Sequence, residues 1–211
     1  DALLIMVNSP RYGGGGIYNL YCTFTADNYW STYVFLHEFG HTFGGLADEY
    51  YTSSVAYSEF FPKGVEPAAP NVTALLDPAN LKWRALTTSG TSIPTSWEKA
   101  DYDTMDLAYQ KVREELNAKI VAAKRAGVPR PEVEKLQDES DRLSREHATK
   151  VDAYLAKSAF VGHVGAFEGA GYASQGLYRP MVDCLMFTKG AKPFCKVCQE
   201  AVVRVIEYYG E

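Results

Sequence analysis

His37-Glu38-Phe39-Gly40-His41-Thr42-Phe43-Gly44-Gly45-Leu46-Ala47-Asp48-Glu49-Tyr50 is the most informative stretch of the sequence. It opens with HExxH. The spacing predicts one helix from about Ser31 to Gly44, with Asn28 or Ser31 as N-cap and Gly44-Gly45 as the stop. Residues four apart on a helix share a face, so the two imidazoles can take one tetrahedral Zn2+ while Glu38 points at the metal's water as general base. Two surface histidines on an ordinary helix are the bland alternative.

A hydrolytic zinc site takes three protein ligands and keeps one position open. Asp48 is the expected third ligand, with Glu49 and the distant Glu168 as the other candidates. Were the helix to continue past Gly44, Asp48 would lie about 10 Å further along the axis, beyond ligand reach. The glycine pair must therefore reverse the chain if Asp48 is to bind.

Outward from this stretch the chain reads as α+β. Ala2 to Asn8 is an expected strand, and Ile17 to Thr25 a second extended stretch rich in Tyr, Phe and Thr. The run Gly13 to Gly16 lies between them. Polyglycine there makes a flexible turn. Residues 52–100 are broken by turn signals and read as irregular packed loop. The composition then shifts: residues 101–157 are rich in Ala, Glu, Lys and Arg, with apolar positions at helical spacing on both sides of Gly127-Val128-Pro129. That segment is expected to be a helical hairpin inserted between 1–100 and 158–211. His147 falls on its apolar seam, a packing position. A last helix is expected from about Cys198 to Tyr209.

With 211 residues, 46% of them hydrophobic, the chain can bury a core, and wholesale disorder is excluded. A net charge of −5 without a basic cluster argues against a nucleic-acid partner. The longest apolar run, Ala2 to Val7, is too short to cross a membrane. Of the four cysteines, Cys184, Cys195 and Cys198 crowd near the end while Cys22 stands apart. A disulfide from Cys184 to Cys195 or Cys198 is the leading expectation for an exported protein; a zinc knuckle on Cys195 and Cys198 needs four ligands, and the only other cysteines are Cys22 and Cys184; buried free thiols are the third possibility. Asn71-Val72-Thr73 matches a glycosylation sequon.

The whole run from His37 to Tyr50 resembles the signature of the M64 peptidases, whose founding members include bacterial IgA proteases. Supporting segments are Phe167-Glu168-Gly169-Ala170-Gly171-Tyr172, Tyr178-Arg179-Pro180, Cys184-Leu185-Met186 and Phe194-Cys195-Lys196-Val197-Cys198-Gln199-Glu200-Ala201. The likeness covers the beginning of the chain to Tyr51 and about Phe160 onward; the 101–157 arm is outside it. It implies a metzincin-like zinc endopeptidase acting on a protein or peptide, secreted or held in a bacterial cell envelope. It also implies a methionine turn beneath the metal, with Met186 as first candidate and Met181 as second, and substrate pairing on a sheet edge formed by the run Gly13 to Gly16 leading into Ile17-Tyr18-Asn19, against the alternative of a flexible turn. Sheets of that kind need more strands than two, so an N-terminal fragment or domain of the same precursor is expected to complete this one. Tyr178 is a candidate phenol for stabilising the carbonyl oxygen, weighed against a structural role. Two other functions fit the motif: a non-catalytic zinc-dependent protein-binding module, and a zinc aminopeptidase.

Overall fold

The computed structural model describes residues 2–53 and 60–210. Among them are four α-helices and two small sheets, an α+β chain that divides into two compact units, 1–97 with 158–211, and 98–157.

In the first unit, β1 (Leu3–Val7), β2 (Gly14–Ile17) and β3 (Tyr21–Thr25) precede the helix α1 (Ser31–Gly44). β3 is central, parallel to β1 and antiparallel to β2. The single extended stretch expected from Ile17 to Thr25 is thus two segments, and the polyglycine is itself a strand. Its glycines explain why. Strand β2 lies against α1 so closely that a Cβ on Gly14 would stand 2.4 Å from Val34 Cγ1, and one on Gly16 2.6 Å from the Glu38 carbonyl oxygen. Only a residue without a side chain fits there. Every residue of β1 is exposed, Met6 to 67%, and among the described residues no strand pairs with its outer edge.

The side chain of Asn28 accepts from Trp30 N at 2.9 Å, a turn just ahead of α1. The helix ends at Gly45, whose φ of 61° is left-handed, and Leu46 N–H returns to the Gly40 carbonyl at 3.1 Å. Glycine occupies such a position at no steric cost.

The glycine-rich segment after residue 160 holds a hairpin that its composition conceals: β4 (Phe167–Ala170) pairs antiparallel with β5 (Ala173–Arg179). Beside it Ala47, Val72, Ala170 and Leu177 form an apolar cluster. The last helix, α4, spans Lys196–Gly210. Between residue 60 and the arm the chain is irregular apart from two single helical turns, Pro78–Asn80 and Arg84–Leu86.

The second unit is a hairpin of two helices, Lys99–Arg125 (α2) and Arg130–Leu155 (α3). Leu116, Ile120 and Val133 form its buried centre. His147 meets Asp106 across the hairpin at 2.5 Å and stacks on Tyr109 with ring centroids 3.9 Å apart. At the base, Tyr154 donates to the Glu98 carbonyl at 2.7 Å, which holds the two ends of the arm together. No helix of the described residues is long and apolar enough to cross a membrane.

Candidate active site

One turn of α1 sets His37 and His41 on a common face, and the reversal at Gly45 brings the chain back beneath them. The result joins three side chains. His37 Nε2 stands 2.9 Å from Asp48 Oδ1 and 3.2 Å from His41 Nε2, and His41 Nε2 is 3.2 Å from the same carboxylate oxygen. Donors held about 2.0–2.1 Å from a tetrahedral zinc stand about 3.3 Å apart, so this triangle has the dimensions of such a site.

The tautomers fit as well. His41 Nδ1 faces the Leu46 carbonyl at 2.6 Å, and His37 Nδ1 faces the Leu185 carbonyl at 3.3 Å with Tyr33 Oη at 3.4 Å. An imidazole that donates its Nδ1–H to a carbonyl presents the Nε2 lone pair to a metal. Asp48 Oδ2 accepts from the Tyr172 hydroxyl, whose other neighbour is Tyr50 Oη at 3.4 Å.

Three donors packed this tightly perturb one another. Burial disfavours the charged imidazole of His41, but the hydrogen bond and charge of Asp48, aided by the Leu46 carbonyl, outweigh it and raise its pKa to about 9. Burial likewise works against the Asp48 carboxylate, and the two histidines overcome this, holding it well below the usual carboxylate range. Both effects mark a place where positive charge is favoured. Glu38 lies beside the triangle, packed against β2. Burial, opposed by the histidines and reinforced by Asp48, raises its pKa above the ordinary value, the direction a general base needs.

Met186 is fully buried beneath the helix, and a Cβ added at Gly40 would lie 2.9 Å from its Sδ. Its carbonyl accepts the Glu49 N–H at 2.9 Å. The turn carrying Met186 and Leu185 is thereby tied both to His37 and to the segment carrying Asp48.

The remaining candidates have other partners. Glu49 is fully buried and points away from the histidines, toward Asn71 Nδ2 at 2.9 Å and Cys198 Sγ at 3.2 Å. Glu168 sits on β4, where its side chain accepts from Gly176 N at 3.1 Å. Tyr178 sits opposite Glu168 in the hairpin, with its backbone bridged to Thr73. The phenol bonded to Asp48 is that of Tyr172, which the sequence did not single out. Asn71 was also read otherwise: it is fully buried, so the apparent sequon is no glycosylation acceptor. Its Oδ1 accepts from Ala47 N at 2.8 Å and its Nδ2 donates to the Ala47 carbonyl at 2.9 Å, clamping the segment on which Asp48 sits. All four cysteines are free thiols; Cys184 and Cys198 come within 3.8 Å, nearly twice a disulfide length of about 2.05 Å, so the expected disulfide is not formed.

An α+β domain with a paired-histidine helix closed by a buried carboxylate has the build of a metallopeptidase. Residues 1–206 match the family model described as IgA Peptidase M64, and the chain belongs to that peptidase family. A comparison with curated proteins found no match.

Proposed function

We propose that this chain is a metzincin-like, zinc-dependent endopeptidase in which His37, His41 and Asp48 hold the metal and Glu38 is the general base. The observation that carries it is the triangle of Nε2, Nε2 and Oδ1 at 2.9–3.2 Å, with both Nδ1 atoms turned to carbonyls. When bound, zinc supplies a Lewis acid for the scissile carbonyl and makes water a stronger acid. Glu38 Oε takes the proton of the attacking water and delivers it to the leaving amine nitrogen. Its raised pKa suits both transfers.

The outer edge of β2 offers backbone groups to an extended peptide, and the glycines that let this strand approach α1 place that edge beside Glu38. Tyr172 holds Asp48 by its Oδ2, orienting the other oxygen toward the histidines. The substrate is thus a protein or peptide bound extended.

The test is Glu38→Gln. Its expected outcome is unchanged zinc content together with a loss of cleavage of roughly 10²- to 10⁴-fold, the worth of a positioned base. Cleavage of peptides blocked at the N-terminus separates an endopeptidase from an aminopeptidase. Zinc binding with no cleavage of any peptide by the unmodified chain would favour the binding module.

A further inference from the structure

On the far side of Asp48 lies a second cluster. Glu49, Cys184, Cys195 and Cys198 are all buried, and one ligand atom from each lies within 4.8 Å of all the others. They come from three places: the segment after α1, the methionine turn, and the entry to α4.

We infer that these four residues form a second, structural Zn2+ site, separate from the histidine triangle. The distances fit. Sulfurs about 2.3 Å from a tetrahedral zinc stand about 3.8 Å apart, and a sulfur and a carboxylate oxygen about 3.5 Å apart. Cys184 Sγ and Cys198 Sγ are 3.8 Å apart, and Cys198 Sγ lies 3.2 Å from Glu49 Oε1. The spacing CxxC at a helix start is that of zinc-binding modules, and Glu49 supplies the fourth donor that the cysteines alone lack.

Two features of the surroundings point to a ligand rather than to an apolar filling. Glu49 Oε2 is buried without a hydrogen-bond partner, whereas its Oε1 is engaged by Asn71. A buried carboxylate oxygen left bare is costly, and a cation removes the cost. Cys184 Sγ also receives two backbone N–H groups, from Cys195 at 3.2 Å and from Met186 at 3.4 Å. Sulfur-directed amides are what a buried thiolate needs. On binding, each thiol loses its proton to solvent, and the thiolates and the Glu49 carboxylate share the metal's charge. Soft thiolates in a tetrahedral arrangement select zinc over magnesium or calcium.

The site would brace the catalytic one. Asp48 and Glu49 are neighbours facing opposite ways, and Cys184 is two residues before Met186, whose carbonyl binds Glu49 N–H. A metal at this cluster therefore fixes the Asp48 segment against the methionine turn.

The experiment uses the full chain with the first site removed by His37→Ala and His41→Ala, purified with Zn2+ under reducing conditions. Metal analysis and zinc-edge X-ray absorption are expected to give one zinc per chain with about three sulfurs in its shell. Adding Cys195→Ser or Cys198→Ser to this chain should weaken retention against a mild chelator roughly tenfold or more. If the double histidine variant does not fold, the unmodified chain serves, with about three sulfurs expected over two zincs. A zinc shell without sulfur, four free thiols in a chain that takes up no zinc here, or a disulfide among these cysteines would each overturn the site. None of these readouts depends on peptidase activity, so the failure of one proposal is distinguishable from that of the other.

Discussion

At the scale of single residues, two tyrosines make a sharp comparison. Tyr172 donates to Asp48 Oδ2, so it orients a metal ligand from outside the ligand set. Removal of such a partner costs roughly 10- to 100-fold in metal affinity or activity. Tyr172→Phe should show that loss in a zinc competition titration as well as in kcat/KM. Tyr178 is held half-buried on β5 beside Glu168 and Thr73, and Tyr178→Phe is expected to leave zinc affinity unchanged and activity within about twofold. A large drop in kcat with zinc affinity intact for Tyr178→Phe would instead put that phenol on the carbonyl oxygen. The histidine pair and Glu38 were legible in the sequence because one helix places them by spacing alone. Tyr172, Asn71 and the Glu49 environment were not, because their partners lie 124, 24 and 149 residues away and only the folded chain joins them.

At the scale of elements, β2 shows how a local rule misleads. A glycine run has weak strand propensity, since it loses more freedom on ordering than other residues and packs no side chain. Here the close approach to α1 outweighs propensity. The hairpin of β4 and β5 was hidden in the same way, its left-handed glycines at 169, 171 and 176 reading as turns. The three glycines of β2 can be told apart by substitution. Gly16→Val places a Cβ against the Glu38 carbonyl oxygen and His41 Cβ, at 2.6 and 2.9 Å, and backbone cannot give way as a flexible side chain can. The expected cost is about 1–3 kcal/mol in chemical denaturation, with weakened zinc binding because His41 is displaced. Gly15→Ala meets nothing nearer than Thr23 Oγ1 at 4.0 Å and should cost much less. Equal destabilisation by the two would show that strand entropy, not contact with α1, governs this position.

At the scale of the whole molecule, the two units have separate centres, and the arm's ends are joined to each other by the Tyr154–Glu98 hydrogen bond. A short Gly/Ser linker in place of Asp103 to Ala156 is therefore expected to leave a soluble chain with its zinc content unchanged, measured by metal analysis and thermal melting. Loss of soluble protein would mean that the first unit depends on the arm for its stability. Strand β1 carries a different consequence, one for the behaviour of the chain in a tube. Leu3, Leu4, Ile5, Met6 and Val7 are 41–67% exposed, uncharged and free of proline, along a sheet edge open among the described residues. Such strands recruit one another into intermolecular sheets. Concentrated stocks of this chain should grow turbid and bind thioflavin with a lag that shortens as concentration rises, and Ile5→Lys, a charge set in the middle of that edge, should lengthen the lag without altering zinc content.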